Sequence, residues 1–273
     1  MRPACGAANI RGMSDPSFLH RDVPALGKQG LFRLGLSGSF GLDEAGAEEA
    51  LERVQYVFWT PRSHLLRPLR RALAKDRERY VVASGPALAY LAGSVRRAAE
   101  KRLRALGTDY LDILQIYWMG KMSAFTGAVQ EEMARLRAEG KVRALGASIH
   151  DRPRAGRLAE DSILDLLMIR YNAAHPGAER DIFPHLARRR PAVVAYTATS
   201  WRRLLRPPSG WTGRAATAGE CYRFCLSSAA VDVVLSGPRT REELRENLAA
   251  VERGPLGPAE DEWMRALGKA VHG

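Results

Sequence analysis

Cysteine is scarce in this chain. Its 273 residues include three cysteines, at positions 5, 221 and 225, which are too few for a disulfide framework. Cys221 and Cys225 lie one turn apart in a segment of helical period, and we interpret them as small core residues; a redox pair or half of a metal site is the alternative. Because His150, His175 and His185 are isolated and lack metal-ligand spacing, we predict no metal site.

Long apolar runs are also absent. No stretch reaches the roughly 18 consecutive apolar residues of a transmembrane helix. The opening of the chain is interrupted by Pro3, Arg11, Asp15 and Arg21, so it contains no apolar stretch suited to a signal peptide. We therefore expect a cytoplasmic protein that makes no membrane contact.

Lysine is sparse although the chain is basic. The formal net charge is +12 and aromatic residues make up only 7% of the chain. The basic residues are mostly arginines scattered through every segment, without the interleaved aromatic residues of a nucleic-acid stacking platform. We predict no nucleic-acid partner, whereas a dinucleotide phosphate or an acidic protein partner would still be attracted by this charge. Lysine occurs only at positions 28, 75, 101, 121, 141 and 269.

The remaining pattern is a regular alternation of two kinds of segment. Short β-branched or apolar runs alternate with longer segments of helical period, which is typical of parallel strands buried on both faces and crossed by helices. Eight strands, each followed by a helix, predict an α/β fold of the (β/α)8 TIM barrel class. The predicted strands span residues 31–38, 56–60, 79–85, 111–118, 142–149, 164–172, 192–198 and 231–237.

The predicted organisation is one domain. We expect an irregular segment over residues 1–27 and a single barrel over residues 28–273, with translation starting at Met1 or at Met13. In such barrels the site lies on the loops at the carboxyl ends of the strands. The long irregular stretch 202–220 follows the seventh predicted strand, and we interpret it as a lid or binding loop over the barrel mouth.

Four segments carry a family resemblance in the correct order. LGTDYLDILQIYW (106–118), LRAEGKVRALGASIHD (136–151), the YN and VVAYT segments (171–172 and 193–197) and VVLSGPRTREELREN (233–247) resemble the corresponding segments of the aldo-keto reductases. The likeness spans about residues 28 to 270. It implies a (β/α)8 barrel that binds NADP(H) in an extended pose and passes hydride to a small carbonyl substrate.

The resemblance also implies cofactor-binding residues. Gly237 falls at the tight turn after the eighth predicted strand, Arg239 where the 2′-phosphate binds, and Asn247 where the family contacts adenine. Tyr196 falls where an aromatic ring stacks on the nicotinamide, and Ser148 where the carboxamide is held.

The catalytic tetrad of the family is missing from this sequence. The family aspartate corresponds to Trp59, the tyrosine falls at or near His64, the lysine corresponds to Gly85 and the histidine to Tyr117. Loss of a positioned general acid typically lowers a rate by about 10²- to 10⁴-fold. We therefore expect a degenerate active site, and a protein that is a pseudoenzyme or a weak enzyme. We also expect Trp59 to narrow the mouth of the barrel.

The resemblance also fails at two positions where the family binds the nicotinamide. The asparagine expected after Ser148 is Ile149, and the glutamine expected before the YN pair is Met168. Two alternatives stay open. One is an active NADPH-dependent oxidoreductase that uses Tyr117, with His64, as proton donor. The other is a structural or regulatory barrel that binds no nucleotide.

Overall fold

The chain begins with a small hairpin ahead of the barrel. The computed structural model describes residues 16–38, 41–86, 89, 91–120 and 125–272, so Met1, Cys5 and Met13 lie outside the described residues. Helix α1 (Pro16–Leu19) leads into strand β1 (His20–Val23), and a 3₁₀ turn (Pro24–Leu26) leads into strand β2 (Lys28–Phe32). The two strands pair in antiparallel fashion, and Gly27 supplies the left-handed φ of 60° at the turn between them.

This hairpin differs from the irregular segment expected over residues 1–27. Its Val23 and Leu31 are each 2% exposed and pack against the apolar residues inside the barrel. The predicted strand at 31–38 is accordingly divided between two structures, because Leu31 and Phe32 belong to the hairpin and only the later residues enter the barrel. The polar sequences HRDV and KQG give no apolar alternation that would have indicated these strands.

Eight parallel strands close into a barrel, which confirms the predicted fold class. Each strand pairs with the next along the chain, and the last pairs with the first. The apolar character predicted for them is explained by burial on both faces, against the barrel interior on one side and the helices on the other. The strands are β3 (Leu34–Ser37), β4 (Tyr56–Phe58), β5 (Val81–Ser84), β6 (Leu111–Met119), β7 (Val142–Ile149), β8 (Leu166–Arg170), β9 (Ala192–Tyr196) and β10 (Val233–Ser236).

Helices cover the outside of the barrel. Several begin at a side chain that accepts a hydrogen bond from the first turn, among them Asp151, Thr217 and Thr240. None of the helices described between residues 16 and 272 is both long and apolar enough to cross a membrane. They are α2 (Glu44–Arg53), α3 (Leu66–Lys75), α4 (Ala92–Leu106), α5 (Gly127–Ala138), α6 (Arg152–Glu160), α7 (Ala178–Asp181), α8 (Ala218–Ser227), α9 (Arg241–Val251) and α10 (Pro258–His272).

A buried arginine fastens the end of the barrel opposite the predicted site. Arg33 lies between β2 and β3 and is 2% exposed. Its guanidinium donates to the backbone carbonyls of Phe18, Leu226, Val231 and Asp232 at 2.9, 2.9, 2.7 and 3.2 Å. Burial, with a smaller contribution from the neighbouring Arg21, lowers its pKa to about 10, so the side chain stays charged at neutral pH. One cation therefore connects α1, the start of β3 and the approach to β10.

Candidate functional site

A cavity of about 450 Å³ opens at the carboxyl ends of the strands. Its inner wall is formed by Phe58, Met168, Tyr196 and Leu235, which lie on β4, β8, β9 and β10. From there it extends outward to the first turns of α9, where the wall is polar and charged. The outer lining includes Arg202, Gly237, Arg239, Glu243, Glu246 and Asn247. The cavity is thus apolar inside and charged at its outer end.

One side of the cavity is a strained turn that follows β9. Thr197, Ser200, Trp201 and Arg202 all have left-handed φ angles, of 54°, 49°, 53° and 70°. Such backbone costs about 1–3 kcal/mol per non-glycine residue and persists only where the surroundings enforce it. Asn172, which is fully buried, holds this turn by donating from Nδ2 to the carbonyl of Thr197 at 2.7 Å.

The predicted binding loop contributes to the same wall. After the 3₁₀ turn Arg203–Leu205, the chain returns through residues 206–217 to α8. Arg202, Leu205, Ala216 and Thr217 line the cavity, and the backbone of Ala216 is tied to Leu204 by a hydrogen bond of 3.0 Å. The loop predicted over residues 202–220 therefore folds against the mouth of the barrel.

The outer end of the cavity brings three of the predicted cofactor residues together. Gly237 follows β10 directly, Arg239 is exposed, and Asn247 is 4% exposed with its Nδ2 donating to Ser236 Oγ at 3.2 Å. Thr240 Oγ1 accepts from the backbone N–H of Glu243 and begins α9. The first turn of a helix presents unpaired N–H groups and a partial positive charge, so this end of the cavity suits an anionic or hydroxyl-bearing group.

Two charged residues at this end were missed by sequence reasoning. Glu243 Oε2 accepts from the backbone N–H of Arg239 at 2.8 Å, and its Oε1 lies 3.8 Å from Arg202 Nη1. Glu243 stands three residues after Thr240, and a Thr-x-x-Glu spacing at the start of a helix directs the glutamate back toward that start, so this spacing could have indicated its position. Arg202 had no such signal, because its position depends on the left-handed turn after β9.

The inner end contains the other two predicted cofactor residues. Tyr196 lines the cavity, and its hydroxyl lies 3.1 and 3.2 Å from the two ring nitrogens of His150. Ser148, 4% exposed, lies next to the same hydroxyl. Burial raises the pKa of Tyr196, and burial together with Arg170 lowers the pKa of His150. The pair is therefore a neutral phenol and a neutral imidazole at pH 7.

The residues at the family's aspartate and lysine positions leave no polar group in the cavity. Trp59, expected to narrow the mouth, is 1% exposed and packs in the apolar layer between barrel and helices instead. Its place at the end of β4 turns the side chain to the outer face, because successive residues of a strand face opposite sides. At Gly85 a Cβ atom would lie 2.1 Å from the carbonyl oxygen of Gln115, so this position has no room for a side chain.

The structure does not bring the predicted proton donor pair together. Tyr117 is 8% exposed, and its buried hydroxyl lies near Ser84 and Gly85 without forming a hydrogen bond of good geometry. Burial raises the pKa of Tyr117 to about 12. His64 is exposed in the turn before α3, and within the described ranges no hydrogen bond or ring contact joins it to Tyr117.

The neighbour of Tyr117 is instead an arginine from the outer layer. Arg102, on α4, donates from Nη2 to the carbonyl of Gly85 at 3.2 Å, and its positive charge opposes the rise in the pKa of Tyr117. Its Nε lacks a hydrogen-bond partner, as do Trp59 Nε1 and the Tyr117 hydroxyl. Three unpaired polar atoms are therefore buried close to the position of the family lysine.

Comparison with known proteins agrees with the fold and with the motifs. Residues 68–201 match the model of the aldo/keto reductase family. The NADH-specific methylglyoxal reductase of Escherichia coli is 30% identical over 94 residues, which are 33% of this chain and 28% of that protein. The methylglyoxal reductase YeaE of the same organism is 32% identical over 109 residues, 37% of this chain and 36% of that protein. The match thus spans about a third of the length of each of these relatives.

Solved structures match over most of the chain. The aldo-keto reductase AKR11C1 of Bacillus halodurans in its apo form superposes with a TM-score of 0.74 at 21% identity, covering 92% of this chain and 96% of that one. An aldo-keto reductase of Klebsiella pneumoniae in complex with NADPH superposes with a TM-score of 0.74 at 20% identity, covering 92% and 95%. At these identities the superpositions establish the fold. With the family match over residues 68–201 and the closed eight-stranded barrel, this chain belongs to the aldo-keto reductase family.

Proposed function

We propose that the chain binds NADP(H) in the cavity at the carboxyl ends of its strands and lacks the family's usual means of proton delivery. The single observation that carries this proposal is the continuity of the cavity. It joins Tyr196 at the barrel interior to Arg239 and Asn247 at the start of α9. An extended dinucleotide needs such a path, with room for a ring at one end and for a phosphorylated adenosine at the other.

The residues at the outer end fit the adenosine half. Arg239 is exposed beside the Thr240-capped start of α9, where a guanidinium and a helix N-terminus together favour a phosphate group. The side chain of Asn247 points along the same wall and keeps one amide proton and its carbonyl oxygen for a ligand, because only one bond to Ser236 Oγ is made. Gly237 exposes its backbone between them.

The residues at the inner end fit the nicotinamide half only in part. The ring of Tyr196 forms the wall, and Ser148 offers a hydroxyl beside it. Met168 takes the glutamine position, and its Sδ is contacted by Gln115 Nε2 at 3.3 Å; a thioether is a weak acceptor and no donor. NADP(H), when bound, supplies the hydride. The chain would hold the carboxamide through fewer hydrogen bonds than the family pattern provides.

Proton delivery is where the site departs most from the family. Gly85 has no room for the lysine, Trp59 is turned away from the cavity, and the Tyr117 hydroxyl is buried outside the cavity wall. Without an acid at the developing alkoxide, carbonyl reduction is expected to be slower by about 10²- to 10⁴-fold. The proposed role is therefore dinucleotide binding with weak or absent turnover.

The binding proposal is tested by replacing Arg239. We expect Arg239→Met to weaken NADPH binding by about 10- to 100-fold, because hydrogen bonds to a charged group contribute about 1.5–3 kcal/mol. The dissociation constant is measured by quenching of tryptophan fluorescence. Arg245→Met is the matched control, since Arg245 lies on α9, directly after the turn that carries Arg239, but pairs with Glu49 outside the cavity at 2.6 Å. Equal NADPH affinity in both variants and the unaltered protein would contradict the assignment of Arg239.

A second candidate function is carbonyl reduction with Tyr117 as the proton donor, for which the nearby Arg102 is the favouring observation. The positive charge of Arg102 opposes the rise of the Tyr117 pKa that burial causes, so the phenol is a better acid than burial alone would leave it. Methylglyoxal is the first substrate to test, because both curated relatives are named methylglyoxal reductases. For a true donor, Tyr117→Phe lowers the rate of NADPH oxidation by at least about 100-fold, whereas His64→Ala leaves it unchanged. Turnover that survives Tyr117→Phe eliminates this candidate.

A further inference from the structure

We infer that Glu243 is a specificity-determining residue that offsets Arg239 and lets the site accept NAD(H) alongside NADP(H). The inference rests on the proposed function, because it assigns a role to a residue in the same cavity. It concerns the adenosine end, where the two cofactors differ by one 2′-phosphate.

Glu243 is fixed on the cavity wall by two contacts of its carboxylate and one of its backbone. Its Oε2 accepts from the backbone N–H of Arg239 at 2.8 Å, and its Oε1 lies 3.8 Å from Arg202 Nη1. Its own backbone N–H donates to Thr240 Oγ1 at 3.2 Å. The side chain is 37% exposed, so it is held in place while one edge still faces the cavity.

These contacts place a negative charge where a 2′-phosphate would have to approach. An N–H group at the start of α9 that could bind an anion is already taken by Glu243, and Arg202 is drawn toward the same carboxylate. A phosphate monoester carries a charge of about −1.5 to −2 at neutral pH, so it is repelled by Glu243 while it is attracted by Arg239. The free ribose hydroxyls of NAD(H) instead donate hydrogen bonds to a carboxylate, as acidic residues of other dinucleotide sites do.

The discriminating substitution is Glu243→Gln. Glutamine keeps an oxygen that can accept from the Arg239 N–H, so the turn before α9 should keep its shape. It removes the charge and releases Arg202 for the phosphate. Because one unit of charge at a separation of a few ångströms near a protein surface changes the interaction by more than the equivalent of a factor of ten, we expect the ratio of NADPH affinity to NADH affinity to rise by at least about tenfold.

The experiment is a pair of calorimetric titrations, with NADPH and with NADH, on the full chain and on two variants. Glu242→Gln is the matched control, because it removes the same charge from the same turn of α9 at an exposed position that does not line the cavity. The expected result is that the unaltered protein binds both cofactors, that Glu243→Gln shifts the ratio toward NADPH, and that Glu242→Gln leaves the ratio as it was.

Two results would overturn the inference in different ways. If both cofactors bind and Glu243→Gln changes the ratio no more than Glu242→Gln does, Glu243 has no special role and the proposed function stands. If neither cofactor binds the unaltered protein, the proposed function fails and the inference fails with it.

Discussion

Arg33→Met is expected to lower the free energy of unfolding by about 3–5 kcal/mol, because it leaves several buried backbone carbonyls without a hydrogen-bond donor. The four carbonyls that Arg33 contacts belong to α1, the end of α8 and the approach to β10. Methionine fills a similar volume but donates nothing. The carbonyl of Val231 still accepts from Arg21 Nη1 at 2.9 Å, but the other three carbonyls lose this donor, and each unsatisfied buried group is unfavourable by about 1–3 kcal/mol. The barrel would be weakened where its first and last strands meet.

The measurement is equilibrium unfolding in urea, with Arg53→Met as the control. Arg53 pairs with Glu252 at 2.6 Å, but the two side chains are 53% and 43% exposed. Exposed ion pairs contribute about 0–1 kcal/mol, so the control should unfold close to the unaltered protein. If Arg33→Met unfolds at the same urea concentration as the control, the carbonyls have found other donors. The contacts of Arg33 would then not be needed to close the barrel.

The barrel could be predicted from the sequence because each of its strands is recognisable from the apolar residues of its own segment. Segments such as LDILQIYW and VRALGASI are predominantly apolar, and burial on both faces of a closed sheet favours that pattern. The hairpin β1–β2 and Arg33 were missed for the opposite reason. Most residues of the two hairpin strands are polar, and only Val23, Leu31 and Phe32 among them are buried. Arg33 is charged, and its burial depends on backbone carbonyls of elements that are distant in the sequence.

The candidate site was predictable where the spacing is local and not where it depends on tertiary structure. Gly237, Arg239 and Asn247 lie on one continuous turn and helix, so their positions followed from one segment. Trp59 shows the limit of such reasoning. A one-residue difference at the end of a strand turns a side chain to the opposite face, and no single sequence reports that register.

Arg102 shows a second limit of the same kind. It reaches Gly85 and the surroundings of Tyr117 from the middle of α4, in a segment whose other residues are those of an ordinary basic amphipathic helix. Its approach depends on Gly85 being a glycine, because a side chain there would change how the ends of β5 and β6 meet. The absence of a side chain at Gly85, the position of the family lysine, therefore determines how α4 packs against the ends of β5 and β6.

The last prediction follows from that packing: Gly85→Ala should lower the free energy of unfolding by about 3 kcal/mol, the upper part of the range for overpacking a core. The added Cβ would lie 2.1 Å from the carbonyl oxygen of Gln115 and 2.9 Å from its carbonyl carbon. These are backbone atoms of β6, so relief requires movement of a strand that pairs with both β5 and β7. Urea unfolding measures the loss.

Gly127→Ala is the control for this substitution, because it lies at the first position of α5 with no atom within 4 Å of its added Cβ. It should be neutral or stabilising by up to about 1 kcal/mol. The same clash with the backbone of Gln115 applies to Gly85→Lys. This substitution would restore the lysine of the family, but it would also displace β6, the strand that carries Tyr117. We therefore expect no gain in NADPH-dependent reduction of methylglyoxal from Gly85→Lys. A stable Gly85→Lys protein with increased turnover would contradict this, since it would mean that a lysine fits at this position and that the strands do not close it off.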